Sequence, residues 1–466
     1  MSLQNEVFTP SVYESTGTVT ISGKEIPFKT TCQDNVLYDE QGQAAGSMFT
    51  YSYFRSDIDD VTNRPVLFLF NGGPGSGSLW LHAGLFGPLR LRFKDPEAVN
   101  TPHNPPYYVE NNELCLLDIC DLVFIDPVGT GWGRLLNKDA AKRFYGMDED
   151  AESFKVLIHI WLNRHKRWCS PKYLLGESYG TNRAGLISDK LTGRGKELSS
   201  AGLNGIVLLG SAIGSTDTIL QFEAEPALLA LPSMAAANWY HNKLSGTLKE
   251  FVDSCYSFCE KDYLLALFAG NTLNETERKR IAEKVSYFSG LSVAEVLKQN
   301  LRPDIVLSWK QVLEDRGLEI GRMDGRYTLP FGTRTGTREG VALTQFTPAF
   351  MAAICGPIKE LLNITHEREY YAISGLDGVE WLRKSELPAY ECLAASMRRN
   401  PELRIMFATG YYDMACQIGQ VRYIATHGGY PRERTQINEY PSGHMAYLGE
   451  ESAKAFAEDV RAFIHI

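Results

Sequence analysis

Short runs of apolar residues, rich in β-branched and aromatic side chains, recur along the chain and predict buried strands. They lie at 65–70 (PVLFLF), 121–126 (DLVFID), 172–177 (KYLLGE), 205–211 (GIVLLGS) and 404–410 (RIMFATG). Apolar residues spaced three and four apart predict amphipathic helices at about 148–167 and 451–464. Strands that alternate with helices favour a mainly parallel sheet with helices on both faces.

Two regions depart from this alternation. Residues 18–32 and 45–54 have the pattern of antiparallel hairpin strands that lead into the edge of the sheet. From 215 to 345 the rhythm of strand and helix breaks, and charged helical pieces and a loop rich in Gly, Arg and Thr take its place. We therefore predict a main α/β domain made of residues 1–214 and 346–466, with residues 215–345 inserted as a helical cap.

Charge and hydropathy narrow the range of partners. The 466 residues include 47 basic and 56 acidic side chains, a formal charge of −9 without a long run of either sign, which argues against a nucleic-acid or anionic-membrane surface. No apolar run approaches the roughly 18 residues that span a bilayer. The N-terminus lacks the basic start and apolar segment of a secretory signal. We expect a cytoplasmic protein or, if a signal has been removed, a secreted or periplasmic one.

The nine cysteines are scattered along the chain without the CxxC pairs that are typical of a zinc site. We interpret most of them as buried thiols rather than as a disulfide framework. Cys255 and Cys259 stand one helical turn apart, which fits a shared helix face. We predict neither a metal nor a cofactor.

A serine stands where a predicted strand turns into a predicted helix. The segment from Gly176 to Gly180 (GESYG) fits the pattern G-x-S-x-G around Ser178, with an apolar strand before it and helical sequence after it. A nucleophile on such a strained turn exposes its hydroxyl, and the next backbone N–H stays free at the start of the helix. The alternative is a helix N-cap, where serine is also favoured.

A serine nucleophile needs a base and a carboxylate that orients the base, here in the order serine, acid, histidine. His444 lies in a Gly-flanked loop (EYPSGHMAY), after a short strand and before the last helix. Asp413 follows the predicted strand at 404–410, where a loop acid is expected, although it also fits a simple turn residue. The pattern therefore favours Ser178, Asp413 and His444 as a catalytic triad.

Other candidates for these roles fit the pattern less well. Asp126 follows a strand but precedes the serine and stands next to a proline, so a structural role is favoured for it. The remaining histidines after the serine are His366, His427, which suits the end of a helix beside a Gly stop, and His465, at the chain terminus.

A Gly-rich turn follows the first predicted core strand and can supply N–H donors for a developing oxyanion. It reads NGGPG from Asn71 to Gly75, and its adjacent glycines let the backbone approach a substrate closely. As an isolated string it would indicate only a turn. Together with the serine, acid and histidine it predicts an acyl-transfer site.

Five separated motifs in the same order resemble the serine carboxypeptidases, and their variants most resemble the bacterial branch. The motifs are NGGPGSGSL (71–79), DPVGTGWG (126–133), GESYG (176–180), GYYDMAC (410–416) and SGHM (442–445). The likeness covers about 65–215 and 400–466 well and the middle of the chain poorly. It implies an α/β-hydrolase fold with an inserted cap, and hydrolysis of peptides with a free C-terminus through an acyl-enzyme, without a cofactor.

The resemblance also implies roles for individual residues. Ser178 would be the nucleophile, His444 the general base and acid, and Asp413 the orienting carboxylate. The backbone N–H groups of Gly73 and Tyr179 would bind the oxyanion. The side chains of Asn71 and Glu177 would bind the C-terminal carboxylate of the substrate, which requires Glu177 to keep its proton.

The sequence departs from the family pattern at two positions. Leu85 stands where relatives have a second glutamate, so we expect the pKa of Glu177 to rise only modestly above that of an ordinary glutamate. Ser76 replaces a family cysteine, so a familiar disulfide is absent. An esterase or acyltransferase on the same fold is an alternative function, an inactive binding protein is a remote one, and the oligomeric state stays open.

Overall fold

Strands and helices alternate through the part of the chain that the structure, a computed structural model, describes: residues 8–95, 97–99, 104–193, 200–214, 225–330 and 340–465. The strands are β1 (Val12–Ile21), β2 (Lys24–Tyr38), β3 (Ala44–Arg55), β4 (Val66–Phe70), β5 (Leu89–Arg92), β6 (Tyr108–Asn111), β7 (Asp121–Asp126), β8 (Arg134–Leu135), β9 (Lys172–Glu177), β10 (Gly205–Leu209), β11 (Leu318–Ile320), β12 (Thr328–Pro330), β13 (Arg404–Gly410) and β14 (Thr435–Tyr440).

The α-helices are α1 (Leu79–Leu81), α2 (Met147–His165), α3 (Tyr179–Leu191), α4 (Glu225–Asn242), α5 (Leu248–Phe258), α6 (Leu264–Ala269), α7 (Glu275–Ser289), α8 (Val293–Lys298), α9 (Ile305–Gln311), α10 (Gly340–Ala353), α11 (Lys359–Leu361), α12 (Ala389–Arg399), α13 (Ile418–His427) and α14 (Glu450–His465). Among the helices in the described ranges, none combines the length and apolar character needed to cross a bilayer.

One ten-stranded sheet organises the described chain. Its order is β1-β2-β3-β7-β4-β9-β10-β13-β14, with β8 paired to β3. The first three strands pair antiparallel and join the sheet through the antiparallel pair of β3 and β7. From β7 to β14 every pairing is parallel. The predicted core strands and N-terminal hairpin are confirmed, and so is the α/β-hydrolase fold class.

The central strands are apolar at nearly every position because both of their faces are covered. Along β4, Leu67 and Leu69 face one hydrophobic cluster, which also contains residues of α10 and α14. Val66, Phe68 and Phe70 face the other, which also contains residues of α2, α3, α12 and α13. The carboxyl ends of the parallel strands are the edge at which substrate sites of such sheets are built.

Helices between 225 and 311 pack around a hydrophobic cluster of their own. Its members come mainly from α4 to α9, Leu231, Phe251 and Val285 among them, and from the segment that follows α9, which includes Leu313; it reaches the main domain at Met414. The predicted cap also contains 215–224 and 331–339, which lie outside the described residues. Its predicted end at 345 falls within α10, whose buried Phe346 and Phe350 belong to the core of the main domain.

A buried ion cluster braces the start of β7. The Asp121 carboxylate accepts from Arg64 Nε at 2.7 Å and from Arg167 Nη1, and the backbone N–H of Arg55 adds a third bond at 3.1 Å. The three charged side chains of the cluster are almost completely buried. Removing the single anion would leave two guanidinium groups without a counter-charge.

We predict that Asp121→Ala lowers the free energy of unfolding by about 3–5 kcal/mol, the usual cost of breaking one partner out of a buried ion pair. Urea denaturation followed by tryptophan fluorescence measures this change. Asp57→Ala is the matched control, because Asp57 also binds an arginine, Arg55, but on the surface. We expect it to cost less than about 1 kcal/mol. Equal losses in the two variants would contradict the prediction.

Candidate active site

Ser178 occupies a strained turn between β9 and α3. Its backbone has φ 59° and ψ −127°, in the left-handed half of conformational space that non-glycine residues rarely adopt. The turn is fixed because Ser178 N–H donates to the carbonyl of Leu209 on the neighbouring strand at 2.9 Å. The Ser178 side chain makes no capping hydrogen bond. The structure therefore gives the N-cap alternative no support, and Ser178, a half-buried residue, lines the adjoining cavity.

Small residues let the loop after β4 approach this turn. A Cβ on Gly72 would lie 2.5 Å from the backbone nitrogen of Tyr179 and 2.6 Å from the Glu177 carbonyl oxygen. A Cβ on Gly176 would lie 2.2 Å from the carbonyl oxygen of Gly180. Neither position has room for a side chain, which explains why both motifs need glycine there.

Buried Arg183 ties the same loop to two helices. Its Nη1 donates to the carbonyl of Asn71 at 2.6 Å, and its Nε donates to the Asp150 carboxylate of α2 at 2.7 Å. The Tyr179 hydroxyl donates to the same Asp150 oxygen at 3.1 Å. The Arg183–Asp150 pair thereby holds both the backbone of the loop after β4 and the start of α3 against α2.

The loops after β13 and β14 bring Asp413 and His444 together. Asp413 Oδ2 lies 2.7 Å from His444 Nδ1, and Oδ1 accepts from the N–H groups of Ala415 and Cys416 at 2.8 and 2.7 Å. Both side chains are fully buried. Burial by itself lowers the pKa of His444, but the Asp413 carboxylate, together with the neighbouring Cys416, raises it well above its ordinary value. The pair thus stabilises an imidazolium.

His444 and Ser178 line one cavity of about 460 Å³ but are not hydrogen-bonded to each other. Nε2 of His444 is buried and has no partner among the described residues. Gly210, with φ 53°, lets the ring come close, since a Cβ there would lie 2.9 Å from Nδ1. His444 thus has one ring nitrogen bound to Asp413 and a second one without a partner among the described residues.

Backbone N–H groups of Gly73 and Tyr179 border the same cavity. Among the described residues, neither N–H has a hydrogen-bond acceptor. Gly73 has φ 103°, a conformation open to glycine, and Tyr179 is the first residue of α3, where an N–H has no acceptor within the helix. Both sequence-predicted oxyanion donors thus lie beside Ser178.

Asn71 and Glu177 form the polar floor of the cavity and are nearly fully buried. Asn71 Nδ2 donates to Glu177 Oε2, while Asn71 Oδ1 accepts from Leu81 N–H at 3.3 Å, which fixes the amide orientation. Burial raises the pKa of Glu177 to about 7. The expectation of only a modest rise is therefore wrong, because removal from water strongly disfavours the charged form and the charge of Asp413 adds to this effect, although Leu85 stands in place of the second glutamate.

Tyr447 is a site residue that the sequence analysis missed. Its hydroxyl donates to Glu177 at 3.0 and 3.2 Å from the two carboxylate oxygens, and its ring is fully buried. Gly84, the neighbour of Leu85, makes room for the ring, since a Cβ there would lie 2.8 Å from a ring carbon. Tyr447 stands three residues after His444 in HMAY, and that proximity was the one available signal.

Leu85 and Ser76, the two departures from the family motifs, are both buried. Leu85 belongs to the core cluster on the α10 and α14 face of the sheet. Ser76 Oγ accepts from Trp80 Nε1 at 2.9 Å, a bond between the loop after β4 and α1. All nine cysteines are free thiols, and seven of them are buried, as predicted for most of them.

The remaining candidates lie outside the catalytic arrangement. Asp126 is fully buried and accepts hydrogen bonds from Ser78, Tyr51, Trp132 and Tyr370, so it holds the loop that follows β7, the structural role predicted for it. His366 packs against aromatic rings, including that of Trp132 at 4.8 Å between centroids. His427 ends α13 and His465 ends α14.

Asp413, Cys416 and His444 are also the one group of described residues whose donor atoms could meet at a metal ion, within 4.8 Å of one another. Asp413 and His444 direct their facing atoms at each other in a hydrogen bond. The cluster therefore has the connectivity of an acid and base pair, with the Cys416 thiol beside it.

Comparison with known proteins gives a family match over most of the chain. The family model described as serine carboxypeptidase matches residues 36–440. Two curated relatives from Arabidopsis thaliana, serine carboxypeptidase-like 36 and serine carboxypeptidase-like 37, are 29% identical over 133 residues and 27% identical over 169 residues. These alignments cover 28% and 35% of this chain, and only 25% and 32% of the relatives' own lengths.

A solved structure supports the fold. The crystal structure of a prohormone-processing carboxypeptidase from Saccharomyces cerevisiae aligns over 97% of this chain and 95% of its own, with a TM-score of 0.58 and 14% sequence identity. At that identity the likeness concerns the path of the chain and not the chemistry of individual residues.

We predict that Gly72→Ala lowers the free energy of unfolding by about 1–3 kcal/mol, the usual cost of overpacking, and abolishes labelling of Ser178 by a fluorophosphonate, because the added methyl displaces the loop from the Ser178 turn. Thermal melting and mass spectrometry of the labelled protein measure the two effects. Gly202→Ala is the control, since no atom lies within 4 Å of a Cβ at that position. Normal labelling of Gly72→Ala would refute the close approach.

Proposed function

The chain belongs to the serine carboxypeptidase family, and from that premise we propose that it removes C-terminal residues from peptides through an acyl-enzyme on Ser178. The observation that carries the proposal is the buried hydrogen bond between Asp413 and His444 beside a serine on a strained turn. The three residues have the order serine, acid, histidine; Ser178 and His444 line the same cavity, and Asp413 binds His444 from its buried side, as nucleophilic catalysis by serine needs.

In the first step, Ser178 Oγ attacks the carbonyl carbon of the scissile bond while Nε2 of His444 takes the hydroxyl proton. This requires the serine hydroxyl to turn to Nε2, a contact that commonly tightens when substrate binds. The N–H groups of Gly73 and Tyr179 stabilise the oxyanion. The C–N bond then breaks as His444 returns the proton to the leaving amine, and water attacks the acyl-enzyme by the same route.

The floor of the cavity accounts for the choice of a free C-terminus. A protonated Glu177 donates a hydrogen bond to a carboxylate, and the Asn71 amide supplies a second donor. An ionised Glu177 would repel the same carboxylate. We therefore propose that substrate recognition depends on the proton that burial retains on Glu177.

We also propose that residues 215–345 form a cap over this cavity. Met414, the neighbour of Asp413, packs into the hydrophobic cluster of the helices between 225 and 311, and Ile418 N–H donates to Ser233 Oγ on α4 at 3.0 Å. His444 N–H donates to the carbonyl of Met323 at 2.7 Å. These contacts support a position of the inserted segment against the loops of the acid and the base.

An esterase or acyltransferase is the second candidate function. The observation that favours it is Leu85, which stands where the family site has its second carboxyl group. A panel of matched free-acid, amidated and ester substrates separates the two functions. Preference for the free acid supports the carboxypeptidase, and cleavage of esters alone supports the alternative. An inactive binding protein would react with neither the panel nor a fluorophosphonate.

We predict that Ser178→Ala lowers the rate of peptide hydrolysis by a factor on the order of 10⁶, because it removes the covalent route. Steady-state assays of C-terminal residue release measure the rate, and a melting curve checks the fold. Ser200→Ala, at an exposed serine, is the control and should keep full activity. Undiminished turnover in Ser178→Ala would refute the proposal.

We predict that KM for a free-acid peptide is constant at acid pH and rises about tenfold per pH unit above pH 7. The reason is that the pKa of Glu177 is raised to about 7, so the carboxyl group keeps its proton below that pH and loses it above. Glu177→Gln keeps a donor without the charge. It should remove the rise and give a lower KM than the wild type at pH 8, while an ester substrate shows little change in either protein.

Tyr447→Phe tests the same explanation without changing the charge of residue 177. The hydroxyl that it removes stabilises the ionised form of Glu177. Its removal should raise the pKa of Glu177 further and move the increase in KM to higher pH. A KM that is flat from pH 5 to 9 in the wild type, and unchanged in both variants, would show that Glu177 does not contact the substrate carboxylate.

A further inference from the structure

Two arginines that the proposed reaction does not use line the cavity around Ser178. Arg322 is half-buried and Arg383 is exposed at the rim. The other charged or titratable residues that line the described part of the cavity are Glu177, His444, Cys416 and Tyr179. A guanidinium stays charged at every working pH and has five N–H donors, so one existing contact leaves others for a ligand.

Arg322 lies on the histidine side of the cavity. The next residue, Met323, accepts a hydrogen bond from His444 N–H at 2.7 Å, so the segment is fixed to the histidine loop. Burial raises the pKa of the Cys416 thiol, and the positive charges of His444 and Arg322 act against that rise. The charge of Arg322 therefore acts on Cys416, the direct neighbour of His444 and Asp413.

Arg383 lies on the Tyr179 side of the cavity. Trp381, two residues earlier, packs edge-on against the Tyr179 ring, with 5.3 Å between the ring centroids. Leu382, between them, exchanges backbone hydrogen bonds with Tyr145 and Met147 at 3.1 Å. The chain that carries Arg383 is thus anchored at the start of α2, although the side chain itself is exposed.

Much of the rest of the cavity wall is apolar, with Trp80, Ile373, Leu376 and Met445 among its members, so it offers a neutral polar side chain fewer partners than the arginines offer an anion. An anion beside either guanidinium group would instead receive charge-assisted hydrogen bonds, in a geometry that permits bidentate binding. Asn71 and Glu177 are already assigned to the terminal carboxylate, so the anion that the arginines meet belongs to a substrate side chain.

We propose that Arg322 and Arg383 select peptides that carry an aspartate or glutamate side chain in one of the two residues that flank the scissile bond. This inference rests on the carboxypeptidase function proposed above and specifies its substrate class. It assigns the arginines to specificity and not to bond cleavage.

The test compares four peptides that are blocked at the N-terminus and free at the C-terminus. They differ only in having Glu or Gln at the last or at the penultimate position. We expect kcat/KM for the Glu peptide to exceed that for the Gln peptide by about ten- to a hundredfold at one of these positions, the usual effect of a charged hydrogen bond. Arg322→Gln, Arg383→Gln or the double variant should bring this ratio close to one. Arg398→Gln, at an exposed arginine outside the cavity, should keep it.

Protection of Ser178 from a neutral fluorophosphonate by the same peptides gives a second measurement that needs no turnover. If no peptide is cleaved but Glu peptides protect better than Gln peptides, and only while the arginines are present, the carboxypeptidase proposal fails and the charge preference stands. Equal cleavage and equal protection by Glu and Gln peptides overturn the inference and leave the carboxypeptidase intact. A preference for Glu that survives the double variant also overturns it.

Discussion

The contact between the loop after β4 and the turn at Ser178 is the constraint on which the rest of the site depends. Two backbone segments pass so closely that Gly72 has no space for a methyl group against Tyr179. Their approach puts the N–H groups of Gly73 and Tyr179 side by side and brings Asn71 to Glu177. Arg183 then fixes the contact, because one guanidinium binds the loop carbonyl and a carboxylate of α2. Strain at Ser178 is sustained by this packing.

The same packing explains how Glu177 can hold a proton although Leu85 replaces the family's second glutamate. Glu177 ends a fully buried strand, and the phenol of Tyr447 and the amide of Asn71 complete its surroundings. Both neighbours donate to the carboxylate, which opposes the rise in its pKa, yet burial outweighs them. Two different residues therefore stand beside this carboxyl group and in the core: Leu85 fills the core, and the neutral hydroxyl of Tyr447 orients Glu177.

The sequence predicts those parts of the molecule that depend on local patterns. Buried strands such as β4 and β9 are continuous apolar runs, and the Ser178 turn needs glycines at fixed spacing. Both features can therefore be predicted from the sequence alone. Tyr447 and Arg183 act on residues distant in sequence or in another element, and no local pattern reports such contacts. The pKa of Glu177 was predicted wrongly because burial is a property of the folded surroundings, whereas Leu85 is visible as a letter.

The separate hydrophobic cluster of the helices between 225 and 311 has a consequence for the evolution of this protein. Those helices contact the main domain along α13, where Arg422 binds Asp253 at 2.7 Å, but the buried members of their own cluster come from residues 225–320 apart from Met414. Substitutions inside that cluster therefore leave the core of the sheet intact. Mutational drift is therefore tolerated in a segment that adjoins the Asp413 loop at Met414, while Ser178, Asp413 and His444 stay on the loops of the main sheet. New substrate preferences can arise from that region without a loss of foldability in the rest.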